Sequence, residues 1–111
     1  MVYIHGEGYE SGDPRLYHPA KLVKKGIILV TFSYRLGILG FLSTDNEAAS
    51  GNWGLYDQNL ALRWIQLNIG ALGGNPSHIT LFGQGSGAAS VFFHLISPLS
   101  QGNLHILYML V

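Results

Sequence analysis

Apolar positions fall into short unbroken runs separated by one long helical stripe. Residues 27–32, Ile-Ile-Leu-Val-Thr-Phe, form a near-continuous apolar run of strand length. A parallel strand covered on both faces has this form, so the run predicts a central strand. Residues 1–5 are β-branched and aromatic and predict a strand ending in the loop Gly6-Glu7-Gly8. Residues 9–20 carry the breakers Gly12, Pro14 and Pro19, and residues 19–25 could hold a short helix before the turn at Gly26. Residues 43–52 turn polar and small, as a surface loop does. Residues 55–72 then place apolar side chains at 55, 62, 65, 69 and 72, intervals that share one helical face. Leu60, Trp64 and Leu67 form a second row that would widen the buried stripe, putting Trp64 in the core. Trp53, in a glycine-rich loop, could be core or line a pocket. Gly73-Gly74-Asn75-Pro76 ends the helix, a strand follows at 79–82, and a last helix runs from about Ser86 to Ile96 and stops near Pro98. This order predicts an α/β fold with central parallel strands and flanking helices.

Composition narrows the function classes. Six basic residues balance six acidic ones, so no net field would draw in nucleic acid or an anionic membrane surface. Charged residues make up only 11% of the 111, against about 25% in a typical soluble domain. The chain therefore has the composition of the buried middle of something larger: one domain or a piece of one, whose strands would expose apolar edges and fold poorly alone. With no cysteine there is neither a disulfide framework nor a thiolate metal site. Residues 1–5 have no basic, apolar leader pattern, and no stretch predicts a membrane-spanning helix. Residues 103–111 form a divergent apolar tail.

The chemistry concentrates at residues 79–87, Ile-Thr-Leu-Phe-Gly-Gln-Gly-Ser-Gly. A short strand that breaks into closely spaced glycines and then enters a helix is the layout of a nucleophile elbow, in which GxSxG holds its serine on a sharp turn. Here the nucleophile position is Gly85, and Ser86 comes one place late. Ser86 is expected to be a helix-start or N-cap serine; the competing reading is a displaced nucleophile. Of the five histidines, His5 borders the first glycine loop, and His94 lies two helical turns beyond Ser86, out of reach. His18, His78 and His105 are expected at the surface. No HExxH or paired-histidine spacing suggests a metal, and no cofactor is implied.

Several ordered segments resemble the type-B carboxylesterase and cholinesterase family of α/β-hydrolases. They are residues 3–8, Tyr34-Arg35-Leu36-Gly37 with Gly40-Phe41-Leu42, residues 51–58, Leu62-Arg63-Trp64-Ile65, Gly73-Gly74-Asn75-Pro76 and the elbow, together covering roughly residues 1–100. Residues 1–111 are on this basis part of one such domain, truncated at both ends. The family's elbow, Gly-Glu-Ser-Ala-Gly, maps its nucleophile to Gly85, the preceding acid to Gln84 and an oxyanion-donating backbone N–H to Ser86. Its His-Gly-Gly-Gly oxyanion loop maps to His5, Gly6, Glu7 and Gly8, with Glu7 in place of a glycine. That carboxylate could oppose an oxyanion or point outward. The base and acid of the family's triad lie far downstream of the elbow and are not among these residues. Arg35 is expected to form a structural ion pair with Asp57.

Loss of the serine resembles the family's cholinesterase-like adhesion proteins, the neuroligin type. That implies a non-catalytic binding role with an extracellular or cell-surface protein partner. The alternative is a serine ester hydrolase acting on a small ester, with Ser86 or a mis-sequenced residue 85 as nucleophile. A fragment without function of its own is the third reading.

Overall fold

The computed structural model describes residues 1–102 and 105–110. Four parallel strands, β1 (Val2–Ile4), β2 (Val30–Thr31), β3 (Thr80–Gln84) and β4 (Ile106–Leu110), form one sheet in the order β2-β1-β3-β4. β1 pairs with β2 through Val2↔Val30 and Tyr3↔Thr31, and with β3 through Val2↔Leu81, Tyr3↔Phe82 and Ile4↔Gly83. Five residue pairs join β3 to β4, from Thr80↔Ile106 to Gln84↔Leu110.

One expectation changes here. The run at 27–32 is neither wholly strand nor central: only Val30 and Thr31 pair, on one side, and β1 and β3 hold the middle of the described sheet. Within the segment expected as a divergent tail, residues 106–110 form β4, which leaves that expectation about its sequence untouched; Asn103, Leu104 and Val111 lie outside the described residues.

The helices are α1 (Ala20–Val23), α2 (Gly37–Phe41), α3 (Trp53–Asn68) and α4 (Ser86–Ile96), with short 3₁₀ turns at Pro14–Leu16, Ile69–Leu72 and Pro98–Ser100. α3 buries Gly54, Gln58, Leu62 and Ile65, and its continuation buries Ile69. These positions recur at three- and four-residue intervals, as one helical face requires. The expected second row is on the wrong side: Leu60 is 67% exposed, Trp64 55% and Leu67 83%. Trp64 is therefore not core. Val2, Ile4, Leu81 and Val91 join the α3 residues in a single cluster between sheet and helices. Removing such side chains from water is the main force holding the layers together.

β1, β3 and α4 meet so closely that side chains are excluded at the contact. A Cβ on Gly87 would run into the carbonyl oxygen of Ile4, and one on Gly6 into that of Gln84. This brings the end of β1, the end of β3 and the start of α4 to one place.

Candidate functional site

Gly85 is the pivot between β3 and α4. Its φ of 58° and ψ of −125° lie outside the regions an L-residue occupies without strain. Glycine adopts them freely, and the space where a Cβ would project is open. The turn has the shape of a nucleophile elbow and carries no nucleophile.

Ser86 is the first residue of α4, and Gly85 rather than Ser86 occupies the cap position, correcting the N-cap alternative. The Ser86 hydroxyl oxygen accepts the backbone N–H of Tyr9 at 3.2 Å. Its contact is thus to the loop that follows β1.

That loop has three consecutive residues with positive φ: Glu7 at 99°, Gly8 at 67° and Tyr9 at 64°. Glu7 and Tyr9 each bear a conformation that favours glycine, at a cost of order 1–3 kcal/mol apiece. Tyr9 is held at both ends of its peptide, since Gly37 N–H donates to its carbonyl at 2.7 Å. Glu7 is exposed, and its carboxylate has no hydrogen-bond or ion-pair partner among the described residues. It lines a cleft of about 270 Å³ together with Tyr3, Gly6, Gly8, Tyr17, Gln84, Gly85 and Ser86. The Tyr3 and Tyr17 rings pack against each other, tilted by 53° with centroids 4.3 Å apart. Burial first, then the Tyr17 hydroxyl and the Glu7 charge, push the Tyr3 phenol up, so it stays protonated at neutral pH. Glu7 is the one carboxylate lining this cleft, and no histidine lines it. Among the described residues the pivot of the turn is a glycine and the cleft lining holds no imidazole.

The histidines divide by environment. His5 is buried, stacked on Tyr34 at 4.6 Å, while Tyr34 Oη donates to the His5 carbonyl at 2.7 Å. This pins the end of β1. His18, His78 and His105 are exposed. His94 is buried, with Nε2 2.9 Å from Gln58 Oε1 and Nδ1 2.8 Å from Ser100 Oγ. Because an amide oxygen only accepts, Nε2 carries the proton and Nδ1 accepts from the Ser100 hydroxyl. Burial lowers the His94 pKa from 6.5 to about 4, keeping the ring neutral at pH 7.

Gln58 Nε2 donates to Ser90 Oγ at 3.1 Å, and Ser90 Oγ lies 3.1 Å from the Tyr9 hydroxyl. This polar chain was missed from sequence, although the four-residue spacing of Ser86, Ser90 and His94 puts all three on one face of a helix.

Arg35 and Asp57 meet in a two-pronged contact, Nε to Oδ2 at 2.7 Å and Nη2 to Oδ1 at 2.8 Å. Asp57 Oδ2 also accepts the Arg35 backbone N–H at 3.0 Å. The guanidinium hydrogen bonds hold the Asp57 carboxyl below its usual range. The contact ties the segment after β2 to α3, away from the cleft. Among the described residues no three His, Cys, Asp or Glu side chains converge as a metal site would need, and no helix is long and apolar enough to cross a membrane.

Comparison with known proteins agrees with this geometry. A family described as the carboxylesterase family matches residues 1–107. The chain is 47% identical to the mouse (Mus musculus) acylcarnitine hydrolase over 106 residues, which is 95% of this chain and 19% of that protein. It is 49% identical to Cholinesterase 1 of Branchiostoma lanceolatum over 104 residues, 91% of this chain and 29% of that one. The crystal structure of juvenile hormone esterase from Manduca sexta, with OTFP covalently attached, superposes with a TM-score of 0.91 at 40% identity, covering 96% of this chain and 20% of that one. The chain thus spans between about a fifth and under a third of these relatives' lengths. A match over nearly its whole length, on a parallel sheet flanked by helices, places the chain in the carboxylesterase family with an α/β-hydrolase fold.

Proposed function

We propose that the chain is a carboxylesterase-type segment with a ligand cleft but no hydrolytic chemistry, a binding member of a family whose relatives are esterases. On this reading residues 1–111 are part of one carboxylesterase-type domain. The observation that carries it is Gly85 at the tip of the turn, with the neighbouring Ser86 hydroxyl engaged by the Tyr9 amide. Glu7 adds to it, because a carboxylate beside a forming oxyanion raises the energy of that transition state. The relatives reported above carry the names of hydrolases and esterases, so the adhesion partner implied by the earlier resemblance has no support from them and is left out of the proposal. Those same names, with the retained shape of the turn, favour the second reading, a serine ester hydrolase acting on a small ester.

Fluorophosphonate labelling followed by peptide mass spectrometry separates the two. No adduct is expected; an adduct on Ser86 would establish the hydrolase. Gly85→Ser supplies a hydroxyl into open space yet is expected to leave p-nitrophenyl acetate hydrolysis at background, since no histidine lines the cleft. Saturable turnover by that variant would refute the missing-base argument.

A further inference from the structure

The polar groups behind the cleft run in one continuous direction. Asn59 Nδ2 donates to Ser100 Oγ at 2.9 Å, Ser100 to His94, His94 to Gln58, and Gln58 to Ser90, which meets the Tyr9 hydroxyl. Gln58, Ser90, His94 and Ser100 are all buried, and each uses its polar side-chain atoms within the chain. Tyr9, where it ends, is left-handed at φ 64° and is fixed at its N–H by Ser86, at its carbonyl by Gly37, and at its ring by Phe41 with centroids 4.8 Å apart.

We propose that Tyr9 is the positioning residue of the loop at residues 6–9, and that Gln58, Ser90 and His94 form the buried arm that holds it. A strained loop persists only where its surroundings over-determine it; here α2 holds Tyr9 through Gly37 and Phe41, and α3 and α4 hold its hydroxyl through side chains that do not line the cleft. Ser86 has its place in this clamp as the acceptor for the loop's N–H. The inference concerns loop geometry alone and stands whether or not the chain turns over esters.

Amide hydrogen exchange at residues 9, 10 and 37, referenced to amides in the middle of α4, tests it. The Tyr9 and Glu10 amides bond to Ser86 Oγ and the Glu7 carbonyl, and the Gly37 amide to the Tyr9 carbonyl, so all three report the loop. Tyr9→Phe removes only the hydroxyl and should speed them about five- to tenfold, the value of one ordinary hydrogen bond. Gln58→Leu should speed the same amides by a similar factor although Gln58 lies one residue removed from Tyr9. The double variant should be no faster than either single one, because both cut the same arm. Ser90→Ala, which breaks the arm from the other helix, should repeat the result if Gln58→Leu loosens the whole fold. Unchanged exchange at 9, 10 and 37 in Gln58→Leu and Ser90→Ala, or effects that multiply in the double variant, would overturn the proposal.

Discussion

His94 makes stability fall with acid in a window that the structure defines. The ring is buried, and burial alone is the cause of its lowered pKa, about 4 against 6.5 for an unperturbed imidazole. On acidification the unfolded chain takes up this proton first, so stability is complete above pH 6.5, declines as pH falls and levels off below about 4. The ceiling is about 3 kcal/mol, and at pH 5 the loss is about 2 kcal/mol. The groups packed against the ring from other elements are Gln58 on α3 and Ser100 in the last 3₁₀ turn, both neutral. On α3 the acid Asp57 is already paired with Arg35, and Arg63 is the other charged residue. Hydrogen bonds from Arg15 hold the Asp13 carboxyl, and those from Arg35 the Asp57 carboxyl, below the usual carboxylate range, so both stay charged across the pH 5.0 to 7.5 interval. Burial also lowers the Met1 amine, so urea denaturation at pH 7.5 and 5.0 is read as the difference between the parent chain and a His94 variant, in which that amine cancels. A loss of 2 kcal/mol lowers the midpoint by about 1 M for a chain of this size. His94→Gln keeps a donor for Gln58 and an acceptor for Ser100 but cannot titrate. It should cost about 1–2 kcal/mol at pH 7.5 and lose about 2 kcal/mol less than the parent chain between pH 7.5 and 5.0. If the variant loses as much between the two pH values as the parent chain, the buried-histidine argument is wrong.

Two further substitutions test the architecture around the cleft. Gly87→Ala should destabilise by about 2–3 kcal/mol in thermal or urea melts, because the added methyl is driven into the Ile4 carbonyl where β1 and α4 touch; a neutral result would mean that contact is slack. Asp57→Asn removes the charged acceptor for Arg35 but sits partly in solvent, so its melting temperature should drop by only a few degrees, with the drop shrinking in 0.5 M NaCl; salt-independence would show that the contact acts through packing.

What the sequence made legible was what local chemistry decides. The bounds expected for α4 agree with Ser86–Ile96, because glycines mark its start and Ser97-Pro98 its end. β3 and the long helix emerged from an apolar run and a 3.6-residue period. The errors arose where a pattern records the need for cover and not the cover itself. The run at 27–32 has the composition of a strand buried on both faces, yet β1 offers only three residues to pair with and β2 uses two of its own. Leu60 and Trp64 border an open groove of about 490 Å³ beside Val30, Thr31 and Phe32, so the second helical row and the apolar strand fail together, at one surface. The buried arm was hidden for the opposite reason. Gln, Ser and His score as polar, and only three-dimensional contact reveals that Gln58 and His94 satisfy one another inside the core.

Site and scaffold also come apart at residue level. A serine at position 85 would have to bear the strained φ and ψ of the turn, a cost a nucleophile justifies by its chemistry; glycine bears it without cost, so the shape of the turn does not depend on a serine there. The loop at residues 6–9 shows the reverse, since Glu7 and Tyr9 occupy conformations that glycine would enter more easily. For Tyr9 the compensation is visible in three hydrogen bonds and a ring contact. Glu7's side chain makes no such contact among the described residues, and its one backbone bond, from the Glu10 N–H, survives in glycine, so Glu7→Gly should stabilise the chain or leave it unchanged, whereas Tyr9→Gly should destabilise it despite relieving the same kind of strain. Opposite signs at two residues only two apart would separate backbone strain from the contacts that hold it, and equal signs would show that the loop's conformation is set by something other than the clamp behind it.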